Sequence, residues 1–343
     1  MKFHPEEYKS AEEYWEDRPY PRITDEQYRK ISEKAGGLVK FPLDHPYVHH
    51  LINIAVLVFI FLADWWVLIR LGGHFASPVA SGLVIGLLHS YLMYSLIVYT
   101  MHEGTAHKLI FRKKNPALRF LGSVANNLGR IASAEVDHYA KKHLEHHAHF
   151  QTPQDGEFLG FIYPRRLYKT FIPYASLLNF ADFRVHAGMG YSPSRLLSLA
   201  IFLLYHGTYA YFMSYRYSWL VIVISMVLIT PNVTFWLDRL RQYTEHNTQP
   251  LDRINGGRDL GRGFWGMLIG GGPWGQPCHW THHLYPGVPW YGQLRLHGFV
   301  RKLLNREQRD FFMLRPVTGY PLTLYRIIKD TGKYQKPFSE DAS

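Results

Sequence analysis

Two short segments of the chain repeat one histidine spacing, HLEHH and HWTHH. Their six histidines are His143, His146, His147, His279, His282 and His283. Positions i, i+3 and i+4 share one face of an α-helix, because successive residues turn by about 100°. Neutral imidazole is a good ligand for iron, zinc and copper. Each triplet is therefore predicted to direct three nitrogen atoms at a metal site.

Three further histidines lie near apolar stretches, His102 and His107 in HEGTAH and His246 in RQYTEH. A spacing of five does not put His102 and His107 on one face of an ideal α-helix. Either the helix ends near Gly104, or the two side chains reach different metals. Together the nine nitrogens exceed the four ligands of tetrahedral zinc, and they suit two metals with about four each.

Two other metal centres fit the motifs poorly. HEGTAH is one residue longer than the H-E-x-x-H of zinc proteases. Ferritin-like di-iron proteins use paired Glu-x-x-His motifs on facing helices, and such pairs are absent from the apolar stretches here. The single cysteine, Cys278, excludes an intramolecular disulfide and a cysteine-based zinc or iron–sulfur site.

Four apolar stretches are long enough to position these motifs at a membrane, since about 20 helical residues cross the hydrocarbon. They are residues 51–71, 79–101, 196–213 and 219–237. The short links LGGHFASP and SYRYS predict two antiparallel helical hairpins. We therefore predict an all-α integral membrane protein with four transmembrane helices and a cytosolic helical cap that carries the histidine motifs.

The distribution of Lys and Arg predicts the orientation. Basic residues crowd into FRKKNP, into PRRLYK and around Arg239 and Arg241, outside the two short links. The positive-inside rule then places both termini and every histidine motif in the cytoplasm. The net charge of +11 suits an anionic leaflet, and no nucleic-acid partner is predicted. The predicted segments are a cytosolic N-terminal segment (1–45), a membrane domain (46–300) and a cytosolic tail (301–343).

HEGTAH, HLEHH and HWTHHLYPGVPWY, in this order beside two membrane hairpins, resemble the three histidine boxes of the membrane fatty acid desaturase and hydroxylase superfamily. RQYTEH resembles the Glu-His segment that gives an extra ligand there, and the resemblance covers about residues 45–300. It implies two iron ions at the cytosolic face, which activate O2 and oxidise an unactivated C–H bond of a fatty acyl chain or another lipid. The ligands carried over by motif are His102, His107, His143, His146, His147, His246, His279, His282 and His283.

Several reactions agree with this resemblance. Desaturation is the first choice, and hydroxylation, oxidative decarboxylation of a free fatty acid to a terminal alkene, and carotenoid or sterol oxidation are alternatives. Glu103 replaces the aspartate of many acyl desaturases, and Trp280 and Thr281 stand where many members have a glutamate. These departures leave the reaction open. A zinc transporter or metal-dependent receptor is the alternative from another class.

Other polar residues are candidates for binding or positioning. Four arginines near the third ligand segment suit a carboxylate or phosphate head group, although positive-inside charge explains each equally well; they are Arg239, Arg241, Arg258 and Arg262. Ionisable residues in membrane spans are functional candidates, so His89, His206 and Asp64 are predicted to touch substrate or one another. His138, Glu103 and Glu245 are predicted to orient metal ligands.

Oxygen chemistry at iron needs electrons, and the chain has no recognisable heme-, flavin- or ferredoxin-type motif. A separate electron donor is therefore predicted. The resemblance favours a ferredoxin or a b-type cytochrome with its reductase. A basic cytosolic face would suit an acidic donor.

Overall fold

The computed structural model describes residues 20–71, 74–75, 77–109, 116–131, 136–150, 193–246, 249–250 and 254–334. These residues are largely helical, and no β-strand occurs among them. The helices of this part of the chain are α1 (Asp25–Asp44), α2 (Pro46–Leu71), α3 (Pro78–Ala106), α4 (Pro116–Leu128), α5 (Val136–Ala148), α6 (Pro193–Ser214), α7 (Trp219–His246), α8 (Phe264–Ile269), α9 (His279–Leu284), α10 (Trp290–Leu303), α11 (Arg306–Phe312) and α12 (Gly319–Tyr334).

The four predicted spans are confirmed. Helices α2, α3 and α7 and the Leu196–Ser214 part of α6 are long and apolar enough to cross a membrane. Their outward faces are apolar, with Leu62 and Leu204 65% and 72% exposed. Lipid can cover such faces, whereas soluble monomers rarely leave large apolar patches open to water. The protein is therefore an integral membrane protein.

Helices α3 and α7 continue past the predicted ends of their spans, to Ala106 and His246. A hydropathy pattern predicts the end of a span where the run of apolar residues ends. The helix itself can continue, because its backbone hydrogen bonds do not depend on apolar side chains. At about 1.5 Å per residue, His102 lies roughly 36 Å along α3 from Pro78, and the hydrocarbon is only about 30 Å thick. Both helices are thus long enough to carry a histidine to the membrane boundary.

Helix α3 packs closely on α7 through two glycines spaced four residues apart. A Cβ atom added at Gly82 would lie 2.8 Å from Ile224 Cβ, and one added at Gly86 would lie 2.7 Å from Ile229 Cβ. Small residues at this spacing let two membrane helices approach closely, where association depends on van der Waals packing. The Gly-x-x-x-Gly face therefore fixes how these two spans meet.

Gly86→Val is expected to destabilise the protein by about 1–3 kcal/mol, because overpacking a close interface forces the backbones apart. Gly207→Val is the matched control, since a Cβ atom at this exposed α6 position would meet no atom within 4 Å. Both changes alter helix propensity alike. The free energy of unfolding in detergent, measured by denaturant titration, should fall for Gly86→Val only. Equal losses in the two variants would contradict this packing role.

By mutual contact, the described residues form two compact units. The histidine unit contains those within Met1–Asp44, Lys141–Tyr168 and Leu240–Ser343. The span unit contains those within His45–Ala140 and Lys169–Arg239. Seven of the nine predicted ligand histidines thus belong to one unit, and His102 and His107 belong to the other.

An apolar core supports the histidine unit. The ring of Trp280 stacks on Phe312, with ring centroids 4.2 Å apart and planes only 7° from parallel. Helix α1 packs on α10, and Ile31, Leu296 and Val300 join the core. Trp280 lies within α9, so this core holds the helix that carries the third histidine motif.

Candidate metal centre

Helix α9 carries the third histidine motif after a glycine-rich turn. Gly271 and Gly272 have φ values of 77° and 90°, which residues with a side chain rarely adopt. The chain then enters α9 directly at His279. As the i, i+3, i+4 spacing predicts, all three histidines of the motif lie in one helix and all are buried.

Four buried histidines of the histidine unit bring their Nε2 atoms together. They are His146, His246, His279 and His283. The Nε2–Nε2 distances are 2.6 Å between His246 and His279, 3.0 Å between His279 and His283, and 3.2 Å between His146 and His283. The donor atoms of this four-histidine site all lie within 4.8 Å of one another.

A second group in the same unit contains the remaining members of both triplets. The Nε2 atom of His147 lies 3.1 Å from those of His143 and His282. The prediction that each triplet directs its three nitrogens at one metal site was therefore wrong. One histidine of HLEHH and two of HWTHH lie in the four-histidine site, and the others lie in this three-histidine site. The stacked rings of His147 and His283, 4.4 Å apart, join the two sites.

The chemistry of these nitrogens fits metal ions. Two nitrogens that are each about 2.1 Å from one ion lie about 3.0 Å apart at a right angle and about 3.4 Å apart in a tetrahedron. Most of the observed Nε2–Nε2 distances, from 3.0 to 3.2 Å, match this geometry. Burial lowers the pKa of His279 and His283 well below the ordinary value, and neighbouring histidines lower it further. Neutral imidazoles of this kind are ready to bind a metal.

The third pair, His102 and His107, lies at the end of α3 in the span unit. Residues Val98–Ala106 wind as a π-helix, and the backbone N–H of His107 donates to the carbonyl of His102 at 3.0 Å. A π-helix joins residue i to i+5, so a spacing of five brings the two rings to 4.7 Å between centroids. The helix ends at Ala106, two residues after Gly104 and so near the predicted end, but its last turns are π-helical rather than α-helical. Which metal each side chain reaches stays a prediction.

Two predicted positioning carboxylates lie beside candidate ligands. Glu245 Oε1 is 3.5 Å from Nδ1 of His279, and Glu103 Oε1 is 3.4 Å from Nδ1 of His102. Metal-bound histidines commonly direct their second nitrogen at a carboxylate or carbonyl, which fixes the ring. These approaches are longer than good hydrogen bonds, and the orienting role of Glu103 and Glu245 stays a prediction. His138 lies on α5, and its side chain is outside the described residues.

An aromatic ring that the sequence analysis did not single out covers the four-histidine site. Phe150 is buried, and its ring centroid lies 4.7 Å from His283, 5.1 Å from His246 and 5.2 Å from His146. Phe150 follows HLEHH by three residues, and no local pattern distinguishes it from other apolar residues. An apolar ring at this place keeps water from the imidazoles and strengthens the electrostatic interactions inside the site.

Two of the four predicted head-group arginines are buried and bind the protein itself. Arg241 donates to Glu245 at 2.8 Å and also binds Gln276. Arg258 donates to the backbone carbonyl of Thr244 at 2.7 Å. Both arginines therefore hold the end of α7 next to His246. Their predicted contact with substrate stays a prediction.

The other two arginines occupy different surroundings. The guanidinium of Arg239 lies over the ring of Phe235, 5.1 Å from its centroid, within α7. Arg262 is exposed in the loop that precedes α8. Arg262 is thus the most exposed of the four, and its contact with a head group stays a prediction.

The ionisable residues of the spans contact one another, as predicted. Nδ1 of His89 lies 2.6 Å from Asp64 Oδ1, and Tyr205 donates its hydroxyl to Asp64 Oδ2 at 2.7 Å. The ring of His206 lies 5.5 Å from that of His89, and its Nε2 is 2.9 Å from the carbonyl of Ile131. These contacts link three spans inside the span unit. A role of His89 and His206 in binding substrate stays a prediction.

A family model described as fatty acid desaturase matches residues 76–314. The match covers more than two thirds of the chain and includes all nine candidate ligands. Comparisons with curated proteins and with solved structures returned no match. The chain therefore belongs to the fatty acid desaturase family, and it is a membrane oxidoreductase that acts on lipid.

Proposed function

We propose that the protein uses two iron ions and O2 to remove hydrogen from an unactivated C–H bond of a fatty acid or fatty acyl chain. The observation that carries the proposal is the convergence of four buried Nε2 atoms at the four-histidine site. When bound, iron with open coordination positions supplies O2 activation and C–H oxidation. A zinc transporter or metal-dependent receptor would not need a second cluster of histidine ligands. It would also not be expected to belong to a family that oxidises lipids.

We assign one iron to the four-histidine site, His146, His246, His279 and His283. We assign the other to the three-histidine site, His143, His147 and His282. We propose His102 and His107 as further iron ligands, because they belong to the first of the three histidine boxes and the π-turn brings their rings together on α3. Four nitrogen ligands at the four-histidine site would leave coordination positions of a bound iron open for O2.

The surrounding residues prepare the ligands for this task. Burial keeps His279 and His283 neutral, and the carboxylate of Glu245 lies 3.5 Å from the second nitrogen of His279. Phe150 excludes water from the four-histidine site. A dry site limits side reactions of a strong oxidant.

The reaction outcome, the head-group contact and the electron donor are proposed from the sequence motifs. Desaturation is our first choice of outcome, and decarboxylation and hydroxylation would use the same ligands with another carbon placed at the iron. We propose Arg262 as the contact for an acidic head group, because its side chain is exposed. We also propose that both termini and the histidine boxes lie on the cytoplasmic side, where a separate ferredoxin or b-type cytochrome delivers electrons.

The test begins with the purified full chain in detergent. We expect about two irons per chain, and O2 consumption that requires both a chemical reductant and a fatty acid. Mass spectrometry of lipids and volatile hydrocarbons from expressing cells then identifies the product, with His147→Ala as the inactive comparison. A new double bond supports desaturation. A terminal alkene one carbon shorter, or a hydroxylated lipid, selects the corresponding alternative.

The same measurements distinguish the other class of function. Zinc bound without O2 consumption would overturn the proposal in favour of a zinc transporter or metal-dependent receptor. Iron with lipid-dependent O2 consumption would exclude that class.

A further inference from the structure

Thr281 lies between the ligands of the third histidine box and binds a buried aspartate. Its backbone N–H donates to Asp259 Oδ1 at 2.9 Å, and its hydroxyl donates to Oδ2 at 2.5 Å. Nδ1 of His297, on α10, lies 2.7 Å from the same Oδ2. All three residues are at most 2% exposed. A carboxylate can remain buried here because three donors compensate it.

The backbone of Asp259 is itself fixed on both sides. Its N–H donates to the carbonyl of Phe312 at 2.8 Å, and its carbonyl accepts from the N–H of Leu314 at 2.9 Å. The neighbouring indole of Trp280 donates to the carbonyl of Ile254 at 2.7 Å. The two residues between the ligands of α9 are thus both attached to the segment around Asp259 and to the core behind it.

The geometry of α9 makes this attachment important. The helix has only six residues, too few to hold its own conformation and orientation in isolation. Position 281 is two residues from His279 and from His283, so it lies about 200° around the helix axis, on the side opposite the imidazoles. A rotation of α9 would move all three ligands together, and an anchor on the opposite side resists it.

We propose that Asp259 is a positioning residue which, through Thr281, sets the rotation of α9 and so directs His279, His282 and His283, while His297 holds the carboxylate in place. The inference rests on the proposed metal sites. It adds to them a residue from outside the histidine boxes that determines how firmly the metal is held.

The experiment measures the rate at which iron passes from the ferrous full-length protein to a chelator, together with iron per chain. We expect Asp259→Asn and Thr281→Val to release iron about tenfold faster or more, the scale on which residues behind metal ligands act. Thr281→Ser keeps the hydroxyl and should release iron at the wild-type rate. Asp310→Asn is the matched control, because that carboxylate is exposed and pairs with Arg315 at 2.9 Å.

A double variant of Asp259 and Thr281 distinguishes a positioning role from a general loss of stability. The double variant Asp259→Asn with Thr281→Val should release iron no faster than the faster single variant, since both changes break one interaction. Circular dichroism measures whether each variant keeps its helix content. If Asp259→Asn does not fold, the isosteric change Thr281→Val still tests the inference.

Each outcome has a definite meaning. Wild-type release rates in Asp259→Asn and Thr281→Val would overturn this inference while leaving the iron sites in place. Equal acceleration by Thr281→Ser and Thr281→Val would also overturn it, because the hydroxyl would then have no role. A wild-type protein without iron would instead overturn the proposed function.

Discussion

His146→Ala is expected to lower the iron content from about two ions to about one per chain and to reduce turnover by at least about 100-fold. His146 is fully buried, and its Nε2 is 3.2 Å from that of His283. Its ring lies 4.9 Å from that of His246. Removing a direct ligand should cost more than the roughly 10–100-fold in affinity or activity lost when a residue behind a ligand is removed.

His149→Ala is the matched control for this variant. His149 follows α5 by one residue and is exposed, three positions after His146 in the same segment. Iron per chain should be measured by elemental analysis and turnover by O2 consumption with fatty acid and reductant. Retention of two irons by His146→Ala would contradict the assignment of the four-histidine site. Equal iron loss in both variants would attribute the effect to the segment instead.

Glu245→Gln is expected to destabilise the protein by about 3–5 kcal/mol, because it removes one partner of a buried ion pair. Glu245 is 1% exposed, and Arg241 donates to it at 2.8 Å. The change also takes the carboxylate from His279, whose Nδ1 lies 3.5 Å away. Iron affinity should therefore fall by about 10–100-fold as well.

Glu33→Gln is a closely matched control. Arg29 and Glu33 form the same kind of ion pair four residues apart on a helix of the same unit, also at 2.8 Å, but their side chains are 64% and 63% exposed. An exposed pair contributes about 0–1 kcal/mol. The free energy of unfolding and iron affinity should thus change little in Glu33→Gln. Similar losses in the two variants would show that burial and His279 do not determine the effect.

The spans and the histidine motifs could be predicted from the sequence because both depend on local patterns. Hydropathy over about 20 residues identifies a span, and i, i+3, i+4 spacing puts three side chains on one helical face. Four spans and two triplets were found in this way. The exact ends of α3 and α7 were not, because a helix continues by backbone hydrogen bonds after its apolar run has stopped.

The contact between His102 and His107 was not predicted, because the prediction assumed the 3.6-residue period of an α-helix. A spacing of five excludes a common face on an α-helix, but it is the span of one π-helical hydrogen bond, which joins residues i and i+5. The spacing itself was therefore the signal, and it could have been interpreted with this second geometry. Asp259 and His297 gave no comparable signal, since their partner Thr281 is close only through the packing of separate segments.

By itself the sequence determined that the chain has four membrane helices, nine suitably spaced histidines and the motifs of one lipid-oxidising family. Only the tertiary structure decided which histidines share a site. His146 joins His246, His279 and His283, whereas its neighbours in the triplet join His282. The physical reason is that positions i+3 and i+4 differ by about 100° around a helix axis. Which of them faces which partner depends on how α5 and α9 pack, and no spacing within either helix contains that information.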